Sequence, residues 1–154
     1  MTVLVPQLKE EALNACLKKV NERIYHAEYA LVQAREASND DTKSSAGDKY
    51  ETTREMMQQD IARNMQQLQE AQKEKIILDS ITVDKVCNKA ELGALVKTNR
   101  GIFYLAVSIG AVDILKNKIF AISQSSPIGQ LLKGKEVGHE IQFNGVTQQI
   151  LEII

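Results

Sequence analysis

The sequence predicts an α+β protein: a long N-terminal antiparallel coiled-coil hairpin followed by a small antiparallel β domain with one short helix. Three observations predict it. Through the first half of the chain, apolar or small residues recur in alternating steps of four and three. That pattern is interrupted once, over residues 39–49, where eleven residues in a row lack a large apolar side chain. After Leu78 it gives way to short apolar runs, richer in β-branched residues and separated by Gly and Asn. The domains expected are a hairpin over 1–78 with its tip loop at 39–49, a junction over 79–91 and a globular domain over 92–154.

The outgoing arm carries Leu13, Leu17, Val20, Ile24, Ala27, Leu31 and Ala34 on one seam. The return arm offers Tyr50, Arg54, Met57, Ile61, Asn64, Leu68, Ala71, Lys75 and Leu78, a poorer seam with polar members. Ser, Asp, Asn and Gly in the intervening stretch compete for backbone hydrogen bonds, so neither helix is expected to continue through it. Folding about residue 44 would set Leu31 near Met57, Ile24 near Asn64 or Met65, and Val20 near Leu68. His26 lies off the seam and reads as a surface histidine, and Cys16 as a small packing residue.

In the second half, strands are expected at 94–97, 102–107, 111–114, 119–122, 140–143 and 147–153. Asn99-Arg100-Gly101 and Lys116-Asn117-Lys118 supply turns, and Asn144-Gly145 is a two-residue hairpin signal. A short helix is expected at 127–133, because Ser125 or Ser126 can cap it, Pro127 suits its first turn and Gly134 ends it.

Composition limits the function. The chain has 154 residues, 44% hydrophobic and 25% charged, and a net charge of −1. This offers no general attraction to nucleic acid or to an anionic membrane, so a nucleic-acid role has to come through a protein partner or a local patch. No run approaches membrane-spanning length, and the apolar stretch 1–5 is too short for a signal peptide. Two cysteines make neither a disulfide framework nor a metal spacing. A monomer in a reducing cytoplasm is the expectation.

One run is less generic. Ala121-Ile122-Ser123-Gln124-Ser125-Ser126-Pro127, then a short helix, then Gly134-Lys135-Glu136-Val137-Gly138, resembles the signature of the Gre-type transcript-cleavage factors of bacterial RNA polymerase. The closing Gln149-Ile150-Leu151-Glu152-Ile153 fits the same pattern, while His139 stands where that pattern has Asp. The resemblance spans roughly 60 residues, and the preceding hairpin extends it to nearly the whole chain in architecture. It implies an FKBP-like globular domain that docks on the polymerase through the group Ser123, Ser126, Pro127, Gly134 and Lys135. It also implies a hairpin that enters the secondary channel. In that family two acids at the tip help hold the polymerase's second Mg²⁺, which activates a water that cuts backtracked RNA. No cofactor intrinsic to this chain is implied, only Mg²⁺ shared with the polymerase active site.

The tip departs from that pattern. Aligning Tyr50, Arg54 and Glu55 with the family's Tyr and Arg-Glu puts the two acidic positions at Lys43 and Ala46. Counting from Glu36-Ala37 puts them at Thr42 and Ser45. Neither register supplies the acids, although Asp40, Asp41, Asp48 and Glu51 are near, and Asp41 and Asp48 are the candidates for meeting a metal.

The reading that follows is a polymerase-binding factor that is not itself an enzyme, occupies the channel and modulates elongation without efficient cleavage. Lys43 and Lys49 would then face acidic groups or phosphates as point charges. Two alternatives stand beside it: a true cleavage factor using the tip carboxylates, and a coiled-coil scaffold unrelated to transcription. An enzyme built on Cys87 and His139 would need a constellation for which the sequence shows no motif.

Overall fold

The computed structural model describes the backbone of residues 3–44 and 48–154 and the side chains of 3–37 and 51–154. Two long helices, α1 (Pro6–Ser44) and α2 (Asp48–Asp79), come first. They are followed by β1 (Leu95–Thr98), β2 (Ile102–Ala106), β3 (Gly110–Ile114), β4 (Asn117–Ser123), α3 (Pro127–Leu132), β5 (Glu140–Phe143) and β6 (Val146–Ile153). The expected fold class is the observed one: a helical hairpin, then a mostly antiparallel sheet with one short helix. By contact the chain forms two compact units, Val20–Lys75 and a second made of Met1–Lys19 with Ile76–Ile154. Composition alone puts the hairpin's edge at residue 78, but the first turns of α1 and the last of α2 belong with the strands.

Within the hairpin unit, α1 and α2 bury Val20, Ala27, Leu31 and Ala71. Met57, Ile61, Asn64 and Leu68 on the return seam are only half-buried, as its mixed composition predicts. Arg23 pairs with Glu74 at 2.8 Å, and Ala27 and Ala71 line one cavity between the helices. This register lies about nine residues further along α2 than folding about residue 44 would give. Two causes act together. Helix α1 runs on to Ser44 and α2 starts at Asp48, so the midpoint between the helix ends falls later than residue 44, and side chains on antiparallel helices each lean toward their own N-terminus, which displaces the pairs that meet.

Of the expected 39–49 tip loop, residues 45–47 lie outside the described residues, while the α1 backbone is helical through Ser44 and α2 begins at Asp48. Asn, Asp, Thr and Ser each cost roughly 0.5 kcal/mol against Ala inside a helix. A long helix already nucleated absorbs a few such residues.

In the other unit the strand order is β3-β4-β2-β1-β6-β5. All neighbours are antiparallel except β2 and β4, which run parallel from Ile102 opposite Ile119 to Ala106 opposite Ser123. Helix α3 packs on β4 and β5. The core includes Cys87, Ala90, Val96, Phe103, Leu105, Ile128, Leu132, Ile141 and Ile150. Every residue of β2 is buried, with alternate side chains going to opposite faces. Phe103 and Leu105 join that core, whereas the Tyr104 side chain lies near Cys16 of α1 and Cys87. Leu8, Ala12 and Cys16, at helical spacing, form the buried strip of the first turns of α1.

The β5–β6 hairpin follows its turn chemistry. Asn144 and Gly145 take φ of 52° and 77°, the left-handed pair of a type I′ turn. The β3–β4 turn is not the expected 116–118 segment. It is Leu115-Lys116, at φ of 49° and 67°, with Ile114 paired to Asn117. Two ordinary L-residues are held left-handed there because the strand pairing on either side dictates the turn.

Candidate functional site

The group singled out by sequence folds into the β4–α3–β5 corner. Strand β4 ends at Ser123, and Ser126 caps α3. The Ser126 hydroxyl donates to the Ser123 carbonyl at 2.6 Å and accepts from the Gly129 amide at 3.1 Å. The Ser126 amide donates to the Ser123 hydroxyl at 3.1 Å, and the Ser123 amide donates to the Ser108 hydroxyl at 3.1 Å. Pro127 occupies the first helical position, where no amide donor is needed. Ser123 and Ser126 thus hold each other and the helix start, while Pro127 is exposed.

Sequence reasoning left Gly129 out of this group. A Cβ on it would lie 2.0 Å from the Ser123 carbonyl oxygen, so α3 sits against β4 at a distance only glycine permits. The available signal was a glycine inside a six-residue helix, where its low helix propensity calls for a packing reason.

At the far end of α3, Gly134 takes φ of 80°, as a residue following a helix often does. Its amide donates to the Ala90 carbonyl at 2.8 Å, and the Ala90 amide donates to the Lys135 carbonyl at 2.8 Å. Gly134 and Lys135 therefore clasp the 79–91 segment through backbone alone. His139 is also used locally: its Nδ1 accepts from the Glu136 amide at 2.9 Å.

In the helical hairpin, Asp40, Asp41 and Lys43 fall within the last turns of α1, and Asp48 and Lys49 within the first turn of α2. The side chains of these five lie outside the described residues. Glu51 is described and is exposed on α2. Among the described residues, no group of three or more His, Cys, Asp or Glu is placed to hold a metal ion, and no helix is long and apolar enough to cross a membrane.

Cys87 is buried, and no described hydrogen bond joins it to His139. Its neighbours are the Lys9 ammonium, 3.8 Å from Sγ, and the Glu91 carboxyl. Burial pushes the Cys87 thiol above its ordinary pKa, and Lys9 opposes that shift. Glu91 is held below the usual carboxylate value, first by its bond to Lys85 and then by Cys87. The Lys85–Glu91 separation is 3.2 Å.

No protein-family model and no curated protein sequence matches the chain. Among solved structures, the transcription factor Gfh1 is similar at 17% identity and a TM-score of 0.35, covering 89% of this chain and 92% of that one.

Proposed function

We propose that this protein is an accessory factor of a bacterial RNA polymerase, of the Gre type, that is not an enzyme by itself. The globular unit docks on the polymerase, the hairpin enters the secondary channel, and the tip modulates elongation without efficient transcript cleavage. The reading rests on one observation above the rest. The residues carrying the sequence signature, Ile122, Ser123, Ser126, Pro127, Gly134, Lys135, Val137 and Gly138, run from the end of β4 through α3 to the segment before β5, and they follow a long helical hairpin. Order along the chain and place in the fold agree.

The non-cleaving version is motivated by the tip. Metal-assisted cleavage needs carboxylates placed within fractions of an ångström, because Mg²⁺ demands near-ideal oxygen geometry. Neither way of aligning the tip puts acids at the two positions. In this reading the chain carries no metal of its own, and nucleic acid is met only through the polymerase.

The test is RNA cleavage in a purified backtracked elongation complex, run beside a polymerase-binding assay, with wild type and an Asp41→Ala/Asp48→Ala variant. The expected outcome is binding by both and cutting by neither. Cutting by wild type that the variant loses would replace this reading with a true cleavage factor working through Asp41 and Asp48. Absence of binding would end the polymerase assignment and leave the half-buried α2 seam as the basis for a coiled-coil scaffold.

A further inference from the structure

Where the 79–91 segment meets the start of α1 lies a pair of reactive groups with no part in the proposal above. Lys9 is 3% exposed and Cys87 2%. The Lys9 ammonium donates to the Lys85 carbonyl at 2.6 Å and stands 3.8 Å from Cys87 Sγ. Among the described residues no carboxylate pairs with Lys9, which is unusual for a buried lysine, since desolvating its charge is costly unless something holds it. Here a backbone carbonyl does so, and it fixes the nitrogen beside the sulfur. Cys87 also lines a cavity of about 400 Å³ together with Ser80, Thr82, Lys85, Glu91 and Gln124. Ile81 and Leu92 also line it, and this half-polar, partly open cavity is a route for a small oxidant.

We propose that Cys87 and Lys9 are a modification site: a hydroperoxide joins them through a sulfur–nitrogen bond, a sulfenamide. The step balances in two parts. The Cys87 sulfur attacks the peroxide, giving Cys–SOH and, from hydrogen peroxide, one water. The neutral Lys9 amine then attacks that sulfur, the S–O bond breaks, and the departing hydroxide takes a proton from nitrogen to leave as a second water. Sulfur is oxidised and peroxide oxygen reduced, with a net loss of two hydrogens from the protein. Condensation of a sulfenic acid with nitrogen is established chemistry for this oxidation state, and a thiol reductant reverses it. The same buried region includes Cys16 beside Tyr104, so a Cys16–Cys87 disulfide is the competing product.

Protonation sets the rate. Lys9, Lys85, Glu91 and Tyr104 are the titratable groups acting on or beside Cys87. The thiol is pushed up by burial and sulfur attacks as the thiolate, so the oxidation step speeds up as pH rises. The link would fasten the start of α1 to the segment that follows α2, both within one compact unit.

The experiment treats the full chain with a small excess of hydrogen peroxide at alkaline pH, followed by intact mass, tryptic mapping and reduction with dithiothreitol. The expected result is a loss of about 2 Da, loss of trypsin cleavage after Lys9, a cross-linked peptide carrying Cys87, and restoration by the reductant. Cys16→Ser should still cross-link. Lys9→Arg, with its fold checked by circular dichroism, should gain oxygen on Cys87 instead. Oxygen addition in wild type with Lys9 still cleaved, a loss of 2 Da that vanishes in Cys16→Ser, or an unreacted Cys87 would each overturn the proposal. None of these readings depends on polymerase binding.

Discussion

Replacing Tyr104 by Phe should stabilise this protein. The phenol is fully buried in β2, and its hydroxyl has no hydrogen-bond partner among the described residues. A buried donor left without a protein partner costs about 1–3 kcal/mol, while the aromatic ring itself is kept by Phe. Allowing for the lost contacts of one oxygen, the expected gain is about 1 kcal/mol at neutral pH, or roughly 2–4 °C in Tm for a chain of this size.

The pH dependence gives an independent reading. Burial holds the Tyr104 phenol well above its ordinary pKa, and Cys16 and Cys87 push the same way. The unfolded chain therefore releases this proton near pH 10 while the folded chain keeps it. Wild-type stability tied to Tyr104 is complete below pH 10 and falls as pH rises through the interval up to the folded value. Phe has no proton to lose. Its advantage should widen by about 1.4 kcal/mol at one pH unit above the unfolded pKa; the other tyrosines and the lysines titrate alike in both proteins and cancel. Urea titrations followed by circular dichroism at pH 7 and pH 11 measure both effects. A variant less stable than wild type by 1 kcal/mol or more, with unchanged m-value, would show that the hydroxyl is engaged. A gap that did not widen would refute its burial as a neutral phenol.

Other perturbations test the corner, a turn and the hairpin. Gly129→Ala drives a Cβ into the Ser123 carbonyl; it should cost about 3 kcal/mol or more, since fixed backbone cannot give way as an overpacked side chain can, and thermal melting would read it. The double change Leu115→Asn with Lys116→Gly puts a favoured type I′ pair where two L-residues are held left-handed; it should raise stability by about 1 kcal/mol, and a lower Tm would contradict the turn described. Arg23→Ala removes the 2.8 Å pair with Glu74, but both side chains are partly exposed, so urea denaturation should show a loss of only about 0.5–1 kcal/mol.

The strands and α3 were legible because their signals are local. Asn144-Gly145 names its own turn, and Ser126-Pro127 with Gly134 marks both ends of a helix. The parallel β2–β4 pair was not legible, because β3 lies between them in sequence and outside them in the sheet. Nor was the β3–β4 turn, since Leu115 and Lys116 have no preference for left-handed backbone and are placed by their flanking strands. The hairpin was recognisable from its seam, but its register depended on where the turn is centred, and residues 39–44 join α1 despite their composition. At the candidate site, the signature residues pointed to the corner while Gly129 stayed hidden, because close approach to Ser123 is a tertiary fact. The burial of Lys9 was hidden for the same reason: its neighbour is a carbonyl 76 residues away.

The division into units also has a consequence for synthesis on the ribosome. The unit that holds the strands is discontinuous, with the hairpin of 20–75 inserted between its two pieces. Leu8, Ala12 and Cys16 are made early, and the strand that brings Tyr104 beside Cys16 follows about ninety residues later. At about 5–20 residues per second, that apolar strip stays uncovered for roughly 5–20 s. The long helices form quickly in that interval, but the first turns of α1 wait for strands not yet translated before their apolar strip can be buried.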